Sequence, residues 1–139
     1  MKKILSFALA LFILCSASLV SCKKQTTDDL FQSAVYKEDT TIGEGKKTLH
    51  LIFKIPDHTV NFTVLTDKNT VGDALLEVGL IEGDNGPYGL YVKKTNGILA
   101  DYDIDRSYWA FYINGDMAMS GVDMTEIDES AEYTLEYSI

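Results

Sequence analysis

Three aspartates at alternate positions, Asp101, Asp103 and Asp105, form the sharpest metal-ligand pattern in the chain. They match the first three ligand positions of an EF-hand calcium loop. The sixth position is Arg106, where the loop needs glycine for its sharp turn, and the twelfth is Tyr112, where it needs a bidentate glutamate. The expectation is therefore a solvated acidic turn between two strands, with no metal bound. His50 and His58 are the only histidines. A metal pair is the sharper alternative, but spacing places no third ligand, so each is expected on a solvated strand face. No Gly-x-Ser-x-Gly elbow and no glycine-rich phosphate loop between strand and helix is present. The carboxylates fall in turns and on solvent faces, and no spacing makes two of them face each other across a cleft. An enzyme is not expected.

Aromatic recognition is the chemistry that remains. Tyr88, Tyr91, Tyr102, Tyr108 and Tyr112 fall in the same short stretch as Phe111 and Trp109, the sole tryptophan. In Tyr108-Trp109-Ala110-Phe111-Tyr112-Ile113, Trp109, Phe111 and Ile113 share one strand face and suit a core. Tyr108 and Tyr112 share the other, with apolar bodies and polar tips that suit a binding surface. Met117 and Met119 follow just beyond the Asn114-Gly115 turn and add adaptable contact area. The alternative is a tyrosine-rich face covered by a helix or by the N-terminal segment.

The N-terminus carries an address. Met1-Lys2-Lys3 is a basic start, and Ile4 to Val20 is almost wholly apolar. The run is about as long as a short membrane span, so a retained anchor helix is the rival reading. Leu19-Val20-Ser21-Cys22 resembles the lipobox of bacterial lipoprotein signal peptides. That resemblance implies a signal peptide over residues 1–21, cleavage before Cys22 and lipid on its sulfur. Cys15 then leaves with the signal, so the folded part has neither disulfide nor thiolate chemistry. Lys2 and Lys3 also leave the 12 basic side chains, so 10 face 21 acidic ones. Such a chain repels phosphates, which argues against a nucleic-acid partner. The expected location is extracytoplasmic, lipid-anchored to a bacterial cell membrane.

The elements that must position the aromatics follow from periodicity. Residues 22–46 show none and are expected as the lipidated cysteine and a flexible tether, with an edge strand around Ala34-Val35-Tyr36 as a variant. A tether of that length reaches about 28 Å. Leu49, Leu51, Phe53 and Ile55 alternate up to Pro56, and Val60, Phe62 and Val64 alternate after it, which predicts a hairpin. Thr70 is placed as an N-cap, and Val71, Ala74, Leu75 and Val78 form one helical stripe ending at Gly79. Strands are then expected over 89–93, 98–101, 107–113 and 131–139, with Asn96-Gly97 and Asn114-Gly115 as type I′ turns. Residues 122–128 read as a turn or one helical turn. The sum is an α+β domain over residues 47–139, a single mixed β-sheet with one packed helix in a β-grasp-like order.

Thr70-Val71-Gly72-Asp73-Ala74-Leu75-Leu76, Tyr88-Gly89-Leu90-Tyr91-Val92, Asn96-Gly97, Tyr108 through Gly115, and Ser120-Gly121-Val122 stand in an order that resembles the transcobalamin-like C-terminal domain. The likeness spans about residues 48–139. That domain is the smaller, β-rich half of vitamin B12 carriers and is also found alone in bacterial surface lipoproteins. The resemblance implies a small-ligand module, with cobalamin or another corrinoid as the candidate ligand and no resident cofactor. It adds Tyr88 and Tyr91 to Tyr108, Tyr112, Met117 and Met119 as candidate ligand contacts. In the carriers a larger helical domain holds the other face of the ligand. Here a partner protein could supply that face, or the ligand could pass to a membrane transporter. The alternative function is a surface module that binds protein or glycan.

Overall fold

The computed structural model describes residues 26–139. The expected signal peptide and Cys22 lie outside the described residues.

Local sequence signals place most elements. Lys47–Ile55 (β2) and His58–Thr66 (β3) form the first hairpin, turned by Asp57 at φ 66°. Thr70 caps α2 (Val71–Glu77), its hydroxyl accepting from the Asp73 N–H at 3.2 Å. Gly79 takes φ 70°, and the N–H groups of Gly79 and Leu80 close onto the carbonyls of Leu76 and Leu75, a Schellman ending. Both Asn-Gly pairs are left-handed at both residues, with φ of 50° and 81° at Asn96-Gly97 and 51° and 83° at Asn114-Gly115. These turns join β5 (Gly89–Thr95) to β6 (Ile98–Leu99), and β7 (Tyr108–Ile113) to β8 (Asp116–Met117). A 3₁₀ turn at Val122–Met124 precedes the last strand, β9 (Glu132–Ser138).

The class is α+β, as expected, with the strands divided between two sheets. The larger is mixed, in the order β1 (Thr40–Gly43), β3, β2, β9, β7, β8, and β9 runs parallel to β2 and antiparallel to β7 at its centre. The smaller is antiparallel and joins β5 and β6 to β4 (Ile81–Gly86). Gly83 and Gly86 both lie within β4, where no strand is expected from the sequence. Its ladder shifts register between Glu82 and Gly83, and a Cβ at Gly83 would lie 2.1 Å from the Tyr91 carbonyl oxygen. Only glycine allows that approach.

The expected tether is also partly built. Thr26 and Asp29 form a capping box at the start of α1 (Thr27–Gln32), and β1 (Thr40–Gly43) adds parallel to β3. The strand lies after the Ala34–Tyr36 position considered for it. Leu30 and Ala34 enter the core, and the Phe31 ring stacks on His58 at 4.0 Å, with Asp28 3.2 Å from its Nε2. His58 therefore fastens α1 to the end of a hairpin. His50 sits on an exposed position toward the hairpin's other end.

One core joins the layers. Leu49, Leu51, Phe53 and Ile55 of β2, Val60, Phe62 and Val64 of β3, and Tyr133, Leu135 and Tyr137 of β9 are all buried. Val71, Ala74 and Leu75 of α2 close against them, together with Ile81, Val92 and Ile98 of the small sheet. Each large aliphatic side chain buried this way contributes about 1.5–3 kcal/mol. A Cβ on Gly72 would lie 2.8 Å from the Asp123 backbone, so α2 and the 3₁₀ turn touch main chain to main chain. Among the described residues no helix is long and apolar enough to cross a membrane.

Candidate functional site

Beside β7, the small sheet and the segment after it leave an open groove of about 540 Å³. Its walls are Tyr91 and Lys93 of β5, Asp101, Tyr102 and Asp103 at the start of α3 (Tyr102–Asp105), and Tyr108 of β7. Strand alternation explains the first wall: Tyr91 and Lys93 share a face, while Val92 between them points into the core. It explains the last wall too, because Tyr108 faces out where Trp109 faces in, 7% exposed and packed on Phe53 and Tyr137. The three tyrosines keep between 36% and 46% of their surface in solvent, so their rings are available to a ligand.

The acidic run holds the middle wall in place. Asp101 caps α3, its Oδ1 accepting from the Asp103 N–H at 3.0 Å. Ser107 is fully buried; its hydroxyl oxygen accepts from the Asp101 N–H at 3.0 Å and its hydroxyl donates to Asp105. Asp105 also accepts from the Ser107 N–H at 3.0 Å. Arg106 ends the helix at φ 68°, and its guanidinium carbon stands 5.1 Å from the centroid of the Tyr102 ring. The turn is solvated as expected, with residues 102–106 exposed, and its hydrogen bonds hold it in a set shape with Tyr102 beside Tyr108. Among the described residues no cluster of three His, Cys, Asp or Glu side chains is placed to hold a metal ion.

Lys93 is the one cation lining the groove, and its Nζ lies 3.0 Å from Asp84 on β4. The hydrogen bond and charge of Asp84 hold its ammonium above the usual lysine range, helped by Asp101 and Asp103.

Residues 68–138 match a family described as a domain of unknown function, DUF4430. The chain belongs to the DUF4430 family. All six groove residues lie inside that span. No curated protein matches. A solved structure from Ruminococcus gnavus, provisionally described as a metal binding protein, shares the fold with a TM-score of 0.62. It is 22% identical, over 67% of this chain and 97% of that one. Haptocorrin in complex with Cbi gives a TM-score of 0.48 at 17% identity, over 70% of this chain and 26% of that longer one.

Within this DUF4430 domain the six residues expected at a ligand site separate. Tyr91 and Tyr108 meet in the groove. Tyr112 is half-buried on the outer face of the large sheet, in a shallow recess of about 270 Å³ with Ile52, Lys54 and Glu136. Met117 pairs with Tyr112 across the β7–β8 hairpin and is 64% exposed. Met119 and Tyr88 are almost fully exposed and line neither cavity. Sequence reasoning gives Lys93 no site role, weighs Asp101 and Asp103 only as calcium ligands, and leaves Tyr102, Asp101 and Asp103 outside the expected ligand set. Their signal was the interrupted acidic run beside a tyrosine.

Proposed function

We propose that this protein is a small-ligand-binding module whose site is the groove between Tyr91, Tyr102 and Tyr108. The observation that carries the reading is the convergence of three half-exposed tyrosines, from three separate elements, on one concavity of ligand size. A flat patch would have suited a protein or glycan partner better. The resemblance to the transcobalamin-like domain supports a corrinoid, with cobalamin as the first ligand to test. An open groove covers one face of such a ligand, so the affinity expected is modest unless a partner protein closes the other side. The groove offers no nucleophile beside a base, and a binding role, not an enzymatic one, fits it best.

Anchoring belongs to the same proposal. The Leu19-Val20-Ser21-Cys22 motif supports a lipoprotein held at the extracytoplasmic side of a bacterial membrane. Because α1 begins at Thr27, only residues 23–26 would lie between a lipidated Cys22 and the first helix. The domain would then work close to the bilayer.

The reading is tested by titrating the full chain, in uncharged detergent, with cobalamin while following the emission of Trp109, corrected for ligand absorption. A saturable quench with a dissociation constant of about 10⁻⁶ to 10⁻⁴ M is expected. A linear, unsaturating quench would remove cobalamin as the ligand.

A further inference from the structure

We propose that the groove prefers ligands carrying a positive charge over uncharged ligands of the same shape. The inference rests on the groove being a ligand site and concerns what that site selects. Tyrosine rings carry a quadrupole that is negative on their faces and attracts cations. Tyr102 already shows this chemistry within the chain, since the Arg106 guanidinium stands 5.1 Å from its centroid. The groove's acids point the same way. Asp101 spends one oxygen on the α3 cap, and Asp103 is exposed with no side-chain hydrogen bond among the described residues. Lys93, the only lining cation, is already paired at 3.0 Å with Asp84, which lies outside the groove. That one ammonium thus faces three carboxylates, Asp84, Asp101 and Asp103, and negative charge is left over in the groove. The chain as a whole carries a formal charge of −9, which draws cations toward it over a longer range. An anionic ligand would meet Asp101 and Asp103 and be repelled.

A pair of probes of equal size separates charge from shape: 1-methylquinolinium, a flat cation, and 4-methylquinoline, uncharged at pH 7.5. The full chain, ¹³C-labelled at its eight tyrosines, is titrated with each in uncharged detergent. The cation should shift the Tyr91, Tyr102 and Tyr108 ring signals saturably and bind about three- to tenfold tighter than its uncharged partner. In the double variant Asp101→Asn, Asp103→Asn the preference should fall to about twofold or less. Asparagine caps a helix as well as aspartate does, so α3 is retained. Equal affinities, with those three tyrosines shifted by both probes, would overturn the charge preference and leave the groove a ligand site. No shift of those tyrosines with either probe would overturn both.

Discussion

The side-chain amide of Asn96 grips the main chain of Tyr36, 60 residues earlier, at both of its polar groups. Its Oδ1 accepts from the Tyr36 N–H at 2.9 Å and its Nδ2 donates to the Tyr36 carbonyl at 2.8 Å. The Asn96 carbonyl also accepts from the Val35 N–H at 3.0 Å, and the Asn96 N–H donates to Leu80 at 2.8 Å. One buried turn residue thus ties the N-terminal segment, the end of α2 and the β5–β6 hairpin together.

Asn96→Ala should therefore cost more than an ordinary turn substitution. It removes two hydrogen bonds at a site 1% exposed, leaves Tyr36 without those partners, and puts alanine at φ 50°. About 2–4 kcal/mol of stability should be lost. Denaturant unfolding measures it, and limited proteolysis should cut first between residues 33 and 40. A loss below about 0.5 kcal/mol would mean the clasp does not hold the segment.

A pH effect is expected at the next clasp. The N–H and side-chain amide of Asn61 donate to Asp39, and these bonds hold its carboxyl below the usual carboxylate range. The folded value lies under the unfolded one, so the stabilisation is present at neutral pH and is lost as pH falls through the folded value. The advantage of the native chain over Asp39→Ala should be present at pH 7 and shrink in that acid range. An advantage that stays constant from pH 7 down to about pH 2 would assign it to packing instead.

The anchoring proposal has its own test. Cys22→Ser should accumulate as an uncleaved precursor without diacylglycerol. A Cys22→Ser protein that matures and partitions into detergent like the parent would set the lipobox reading aside.

How much could be read in advance followed the range of the interactions. The α2 cap at Thr70, its Gly79 ending, both Asn-Gly turns and the alternation of β9 are local signals, and each stands in the structure. β4 was hidden because Gly83 and Gly86 are poor strand residues that become strand only when β5 pairs with them. α1 and β1 were hidden because their partners, His58, Asn61 and Asn96, are distant in sequence. The same limit divided the site. Alternation in β7 exposed Tyr108, but the meeting of β5 with the α3 loop, which brings Tyr91 and Lys93 to Tyr102, depends on tertiary packing.

The groove itself is tested most directly by which tyrosine matters to cobalamin affinity. Tyr102→Ala and Tyr108→Ala should each weaken binding by about 1–2 kcal/mol through lost ring contact, with little change in melting temperature. Tyr112→Ala, which changes the recess on the outer sheet face, should leave affinity within about 0.5 kcal/mol of the parent. If Tyr112→Ala weakens binding while Tyr102→Ala and Tyr108→Ala do not, the ligand sits on the outer face of the sheet and the groove is not the site.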